Sequence, residues 1–324
     1  MKKHYLITGG AGFIGSHLVE TLLDSGHSVT VVDDLSTGNR KNIAHLLDRP
    51  ELTFVHDAVE TWSGLAGAVA AADTVVHLAA TVGVELVVSD PVRTIETNVH
   101  ATERLCKLMA ENGGGRLLLA STSEVYGRSA AVRFRETDDL LIGPPTHHRW
   151  TYAASKALDE YLLMAYYKEQ KLQPTICRLF NTVGPRQTGR YGMVLPRFVE
   201  AALAGKPLSV YGDGTQVRCF CHVRDVVRAL VGLMESDEAV GGIFNIGSES
   251  PISIAALAET VTRLLESDSP IETIPYDQAY EPGFEDMMRR VPDTTRIREL
   301  IGWNAEISLE QTIREVAESL RESR

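Results

Sequence analysis

The feature that most narrows what this chain can fold into is a run of glycines near its start. Thr8-Gly9-Gly10-Ala11-Gly12-Phe13-Ile14-Gly15 lies between an apolar run, Tyr5-Leu6-Ile7, and an amphipathic stretch over 13–23. That order reads as strand, glycine turn and helix. Glycines at 9, 12 and 15 let the first make the tight turn, the second admit a pyrophosphate against backbone, and the third bring helix close to strand. The phosphates then rest on the helix N-terminus, at Phe13, Ile14 and Gly15, where backbone N–H groups lack intrahelical acceptors. A second apolar strand, 28–32, ends in Asp33. A carboxylate there reaches the adenosine ribose hydroxyls of a dinucleotide.

Strand and helix patterns go on alternating as far as Phe180. Strands are expected at 52–55, 74–78, 116–120 and 175–180, and helices at 91–111 and 152–170. Apolar strands separated by helices imply a parallel sheet covered on both faces, joined by right-handed crossovers, with ligands beyond the strands' carboxyl ends. Past Asn181 the loops lengthen and gain Gly and Pro, as in Gly184-Pro185-Arg186-Gln187 and Tyr211-Gly212-Asp213-Gly214. Helices are expected at 195–203, 224–234, 254–265 and 309–320, the last opened by Ser308 and Gln311 in capping-box spacing. A strand at 243–246 is expected to return to the sheet. At 324 residues the chain exceeds what one core usually serves. The expected fold is α/β, a Rossmann-like doubly wound parallel sheet with a smaller, interleaved C-terminal substrate-binding lobe. Residues 1–180 form the dinucleotide domain and 181–324 mainly the second lobe, with segments near 223–265 returning to the first.

A formal net charge of −11 argues against a nucleic-acid surface, so local arginines must meet any polyanion. Cys106, Cys177, Cys219 and Cys221 are too scattered for a disulfide framework and read as reduced thiols in a cytoplasmic chain. The apolar run after Met1-Lys2-Lys3 is too short for a signal peptide, and none approaches a membrane span. His147-His148 is adjacent rather than spaced along a helix face, so no metal is expected.

Two stretches fall at strand ends on the ligand side: Ser121-Thr122-Ser123-Glu124-Val125-Tyr126-Gly127, and Tyr152-Ala153-Ala154-Ser155-Lys156 opening a helix. Tyrosine and lysine four apart share a helix face, so the Lys156 ammonium can lower the Tyr152 phenol's pKa and also reach a cofactor ribose. Tyr152 then serves as the base, with Thr122 hydrogen-bonding the substrate hydroxyl whose proton is removed.

The glycine pattern, Asp33, the His77-Leu78-Ala79-Ala80 strand end, Thr122 and the Tyr152/Lys156 pair together resemble the extended short-chain dehydrogenase/reductases of the NAD-dependent epimerase/dehydratase group, which act on nucleotide sugars. The resemblance continues through Arg178-Leu179-Phe180-Asn181, Val210-Tyr211-Gly212-Asp213-Gly214, Arg218 and Val223-x-Asp225. It implies NAD reduced and reoxidised within one turnover. It implies Gly9, Gly12 and Gly15 at the pyrophosphate, Asp33 at the ribose, Asp57 at the adenine edge, and Leu78, Ala79, Ala80, Tyr152 and Lys156 lining the cofactor site. Asn181, Arg218 and Arg290 are implied at the substrate diphosphate. Asp34 after Asp33, where an arginine would serve a 2′-phosphate, favours NAD over NADP.

Glu124 bears on the reaction. With Thr122 and Ser123 it resembles the Thr-Ser-Glu of UDP-glucuronate decarboxylases (UDP-xylose synthases) and of GDP-mannose 4,6-dehydratases, whereas simple 4-epimerases tend to carry a small or apolar residue there. Once C4 is a ketone, a C5 carboxylate is β to it and leaves as carbon dioxide, and a C5 proton becomes acidic enough for a glutamate to remove. The leading expectation is UDP-glucuronate decarboxylation, with 4,6-dehydration or 4-epimerisation as alternatives. Two departures stand beside it: residues 143–150 lack the charged segment usual before the tyrosine in UDP-xylose synthases, and 281–293 resembles a loop of sequences called UDP-glucose 4-epimerases. A reading of another class, a non-enzymatic NAD(H) sensor or scaffold, leaves Thr122, Tyr152 and Lys156 without a purpose. Apolar residues around the helices 91–111 and 152–170 (Leu105, Leu108, Met109, Leu158, Leu162, Leu163, Met164, Tyr166) exceed what one sheet face needs, and relatives pair these helices into a homodimer.

Overall fold

The computed structural model describes residues 1–83, 90–189, 193–279 and 287–322. Its first half runs β1 (His4–Thr8), α1 (Phe13–Asp24), β2 (Ser28–Val32), β3 (Leu52–Val55), α2 (Leu65–Ala71), β4 (Thr74–His77), α3 (Pro91–Glu111), β5 (Arg116–Thr122), α4 (Thr151–Lys168) and β6 (Gln173–Leu179). The second half runs β7 (Thr182–Val183), α5 (Val194–Leu203), β8 (Leu208–Tyr211), β9 (Val217–Cys219), β10 (Cys221–His222), α6 (Val223–Glu235), β11 (Gly242–Ile246), β12 (Pro251–Ser253) and α7 (Ile254–Leu264). It closes with β13 (Ile271–Ile274), α8 (Tyr276–Ala279), β14 (Arg289–Arg290), α9 (Thr295–Ile301) and α10 (Leu309–Glu322).

Seven strands make one sheet in the order β11-β6-β5-β4-β1-β2-β3, every neighbouring pair parallel. The strands are apolar on both sides because both sides are covered: Leu6, Ile7, Val29, Val31 and Val32 are all fully buried. Leu18 and Leu22 of α1 pack with Val226 and Leu230 of α6 on one face, and Leu105 and Met109 of α3 with Leu163 of α4 on the other. The order of strands reverses between β1 and β4, which opens a crevice at their carboxyl ends. Gly9, Asp33, Leu78 and Thr122 all follow or end strands at that edge.

The expected return of the chain at 243–246 is β11, which pairs with β6 over Gly242–Ile246. α7 goes elsewhere. Its Leu257 and Val261 pack with Leu195, Phe198 and Val199 of α5 and Ile313 and Val316 of α10, forming a separate apolar centre in the second lobe. α10 begins as its sequence suggests, with the Ser308 hydroxyl accepting from the Gln311 N–H at 3.1 Å. The short strands of this lobe escape sequence reading because two or three residues carry no periodicity. They matter, since β14 pairs with β9 and sets Arg290 beside Arg218. Among the described residues, no helix is long and apolar enough to cross a membrane.

Candidate active site at the carboxyl edge of the sheet

A cavity of about 620 Å³ runs along the crevice from Asp33 and Asp57 at one end to Arg218 and Tyr276 at the other. Its walls at the first end are shaped for close backbone approach. Gly9 has φ +73°, and a Cβ there would stand 2.7 Å from the Ala79 nitrogen. A Cβ on Gly15 would stand 2.1 Å from the Gly9 carbonyl oxygen, so only glycine lets α1 sit this near the turn. A Cβ on Gly12 would touch only the Gly9 carbonyl, at 3.1 Å, and would otherwise occupy the cavity where the helix N-terminus opens.

Asp33 is 7 % exposed; its two oxygens accept the Ala11 N–H at 2.9 Å and the Leu35 N–H at 2.8 Å. Each oxygen keeps a further lone pair for a ribose hydroxyl. The 32–60 stretch lines the cavity with Asp34, Asp57 and Glu60 and with no lysine or arginine, an unsuitable setting for a 2′-phosphate. The residues present therefore fit NAD. Leu78, Ala79 and Ala80 form the opposite wall, fixed from behind by a buried chain. The Ala79 N–H bonds the Thr8 hydroxyl at 3.2 Å, Thr8 meets His77 Nδ1 at 2.7 Å, and His77 Nε2 meets the Thr102 hydroxyl at 3.1 Å. Burial, with the nearby Lys156 charge, pushes His77 down to about 3, so this imidazole is a neutral strut.

β5 runs two residues further than its sequence suggests. Thr122 therefore ends the strand itself, and Ser123, Glu124 and Tyr126 follow in a 3₁₀ turn, Ser123–Tyr126. The Thr122 hydroxyl accepts the Glu124 N–H at 3.2 Å and hydrogen-bonds the phenol of Tyr152, which lies half-buried in the first turn of α4. Lys156 departs from expectation. It is 1 % exposed, does not line the cavity, and gives its ammonium to Asp159 Oδ2 at 3.0 Å. A buried carboxylate needs that counter-ion more than a half-buried phenol does. The Tyr152 phenol accordingly stands above its ordinary value rather than below it, raised first by burial and then by the Glu124 carboxylate.

Glu124 is the electrostatic centre of the reaction end. Its Oε1 meets Arg290 at 2.5 Å and its Oε2 meets Arg149 at 2.5 Å, with all three side chains nearly buried. Burial alone would raise the carboxyl; Arg149 and Arg290, with Arg218 behind them, outweigh it and hold Glu124 down to about 2. Arg218 is 5 % exposed and lines the cavity next to Arg290. Asn181 lines it too, donating Nδ2 to the Cys219 carbonyl at 3.1 Å.

Every site residue expected from the sequence lines this one cavity, Lys156 excepted. Sequence reading overlooked Arg149, Arg186, Gln187, Arg197, Tyr211 and Gln216, which line it as well. Arg149 carried a usable signal: it precedes Tyr152 by three residues, the spacing that shares a helix face. Arg186 and Gln187 lie in the loop after Gly184, Tyr211 ends β8, Gln216 follows Gly214, and Arg197 on α5 stacks 4.3 Å over the Tyr211 ring. Residues 281–286 of the loop that resembles epimerase sequences lie outside the described residues.

Comparison with known proteins agrees with this geometry. Residues 5–247 match the model of the NAD dependent epimerase/dehydratase family. The chain belongs to that family. Its kinship with UDP-N-acetyl-alpha-D-glucosaminuronate decarboxylase of Bacillus cytotoxicus amounts to 41 % identity over 324 residues, 99 % of each chain. Two solved structures of family members are each 30 % identical to it. One is a UDP-N-acetylglucosamine 4-epimerase from Methanobrevibacter ruminantium M1, in complex with UDP-N-acetylmuramic acid, with a TM-score of 0.90 and full coverage of both chains. The other is DesIV, a dTDP-glucose 4,6-dehydratase from Streptomyces venezuelae with NAD and TYD bound, with a TM-score of 0.87 over 99 % of this chain and 98 % of that one. The family thus spans the three chemistries that its Thr-Ser-Glu sequence leaves open.

Proposed function

We propose that this chain decarboxylates a UDP-linked sugar acid, UDP-glucuronate or its 2-acetamido analogue, through transient oxidation at C4. The observation that carries this reading is the arginine excess at the reaction end, where Arg149, Arg290 and Arg218 surround a single carboxylate. The diphosphate that every nucleotide sugar carries can meet Arg218, but a neutral hexose brings no anion for Arg149 and Arg290, the two guanidiniums paired with Glu124. A C5 carboxylate supplies one. Arg290, which the resemblance sets at the diphosphate, is thereby assigned to the sugar. The 41 % identical relative, named for a uronate decarboxylase, supports the same choice.

NAD, when bound, supplies a hydride acceptor and donor at C4 and a positive ring charge beside the phenol. Thr122 and Tyr152 hold the C4 oxygen between them, and Tyr152 takes its proton as C4 becomes a carbonyl. The C5 carboxylate is then β to that carbonyl. Its C–C bond breaks, the electron pair moves onto the C4 oxygen, and carbon dioxide departs, while the protonated Tyr152 and Thr122 stabilise the enolate by hydrogen bonding. C5 takes up one proton, Tyr152 returns its own to the C4 oxygen, and the product is the pentose nucleotide. Lys156 must exchange Asp159 for a cofactor hydroxyl if it is to touch the ribose.

In this reading residues 1–180 hold the cofactor, and 181–324 mainly hold the nucleotide sugar. The working form is a homodimer. α3 and α4 turn Val92, Ile95, Leu158 and Tyr161 to the surface, 64 %, 47 %, 52 % and 68 % exposed, while Leu105, Met109 and Leu163 pack inward. Four buried free thiols fit a reducing compartment, the cytoplasm. The test is mass spectrometry of the products from UDP-glucuronate, UDP-N-acetylglucosaminuronate and neutral UDP-, dTDP- and GDP-hexoses. Loss of carbon dioxide from a uronate supports the reading; loss of water, or an isomer of unchanged mass, from a neutral hexose replaces it with dehydration or epimerisation.

A further inference from the structure

Glu124 occupies a position that is odd for a proton-transferring group. It is buried, charge-paired on both oxygens, and bonded to arginines from two distant parts of the chain, the 3₁₀ turn His148–Trp150 and β14. Arg218 reaches it from β9 and Tyr152 from α4, so the groups facing it are three cations and one phenol. The local sum is two positive charges in excess. Arg290 also keeps its Nε buried with no hydrogen-bond acceptor among the described residues. The arrangement is what two guanidiniums built to grip a ligand carboxylate look like when a protein carboxylate lies in their grasp.

We propose that Glu124 is an internal stand-in for the substrate's carboxylate, and that Arg149 and Arg290 form the carboxylate clamp that an incoming uronate takes over by displacing it. This rests on the uronate reading above. The geometry allows the exchange, because Thr122 and Tyr152 mark the C4 hydroxyl under that reading and C5 is one bond away. One carboxylate replaces another, so no guanidinium is left unpaired during the swap, which is the costly alternative for buried charge. A nucleotide sugar with a neutral C6 cannot trigger it and leaves Glu124 held. Arg149 is therefore a specificity residue, discriminating uronate from hexose through an anion that already resides in the protein. Release also changes Glu124. Once the arginines are engaged by the ligand, its burial acts without their opposition, and the carboxyl rises from its depressed value toward one that can carry a proton.

The experiment is calorimetric binding to the NAD-loaded protein in a Tyr152→Phe background, which prevents turnover, using UDP-glucuronate and UDP-glucose as the probes. Adding Glu124→Gln is expected to tighten UDP-glucuronate by about tenfold while leaving UDP-glucose within about twofold, because the uronate no longer competes with a resident anion. Adding Arg149→Lys is expected to weaken UDP-glucuronate by about tenfold and to spare UDP-glucose, since a single ammonium cannot replace the guanidinium fork. Equal changes for both nucleotides, or weaker uronate binding in Glu124→Gln, overturn the proposal. A measurement without either added substitution decides it again, should one of them prevent folding. About one pH unit above the ordinary carboxylate value, UDP-glucuronate binding should take up a fraction of a proton, read from titrations in buffers of different ionisation enthalpy, and UDP-glucose should take up none. Absence of that difference also overturns it. Carbon dioxide release by the unsubstituted enzyme is scored separately: its failure removes the decarboxylase reading, while the affinity ratios alone judge the stand-in.

Discussion

Replacing Glu124 by Gln tests whether the arginine clamp is an electrostatic fact of the folded protein, independently of any substrate. Glutamine keeps the size and resembles the protonated acid, so the substitution can be treated as a permanent protonation. The Glu124 carboxyl lies at about 2 in the folded chain against an ordinary 4.5. At 1.36 kcal/mol per pKa unit, that gap corresponds to about 3 kcal/mol favouring the ionised form in the native state. The figure agrees in size with the roughly 3–5 kcal/mol lost when a buried ion pair is broken from one side. Because the folded value is depressed, this contribution is complete above the ordinary value and is lost as pH falls from there through the folded one. Wild type and Glu124→Gln should therefore differ by a constant amount around neutral pH, roughly 4–5 °C in Tm at about 1.5 °C per kcal/mol for a chain of 324 residues. The gap should close on acidification below about 4.5. Scanning calorimetry of both proteins over a pH series reads this directly, and the other acids titrate alike in both and cancel. Equal melting temperatures at neutral pH, or a gap that persists in acid, would refute the argument that Arg149 and Arg290 are held by this carboxylate.

Two further outcomes follow from other parts of the structure. Gly9→Ala combines a positive φ with a Cβ 2.7 Å from the Ala79 nitrogen, and should weaken NAD binding by at least about tenfold and lower stability by about 1–3 kcal/mol; calorimetric NAD affinity equal to wild type would show that the turn tolerates the side chain. Tyr161→Glu sets a charge on the most exposed aromatic of α4 and should convert the proposed dimer to monomer in light scattering at micromolar concentration, whereas a dimer in the variant would place the interface elsewhere and a monomeric wild type would remove it.

The cofactor end was legible in the sequence because its signals are local. The glycine spacing, the apolar strands and Asp33 all lie within a single βαβ stretch, and each acts through backbone geometry that follows from residue type. The same locality explains why the Tyr152/Lys156 spacing fixes a shared helix but not the proton's energetics. Whether an ammonium lowers a phenol's pKa depends on what else claims it, and here Asp159, one helical turn further on, does. The clamp on Glu124 was harder still. Arg290 is 166 residues away in the chain, delivered by a two-residue strand whose register with β9 no pattern announces. Arg149 stood beside a histidine pair that drew attention to metal chemistry, and its role became visible only when the 3₁₀ turn before α4 placed it on the Tyr152 side.

A second buried network explains how so long-range a site stays in register. Beneath the 3₁₀ turn Ser123–Tyr126, the Ser121 hydroxyl donates to Glu160 Oε1 at 2.5 Å, and Arg178 grips the same carboxylate with Nε and Nη2 at 3.0 and 2.7 Å. The Arg178 guanidinium lies 4.7 Å over the Tyr126 ring, and the Tyr126 hydroxyl donates to Asn245 Oδ1 at 2.7 Å. Asn245 then gives its amide to the Phe134 carbonyl at 2.8 Å and the Asp293 carbonyl at 3.2 Å. Phe134 in turn pairs with the segment around Arg290, accepting from the Asp293 N–H and donating to the Val291 carbonyl, both at 2.8 Å. One chain of contacts thus joins the β5 end that carries Thr122 and Glu124 to the strand that carries Arg290, and Asn245 on β11 is its junction. Such networks are rigid when fully satisfied and costly when broken, so they transmit position well over several side chains. The return of β11 to the sheet therefore does more than widen it: it places an amide between the two lobes, so that the carboxylate and the arginine that must meet across them are set from one strand.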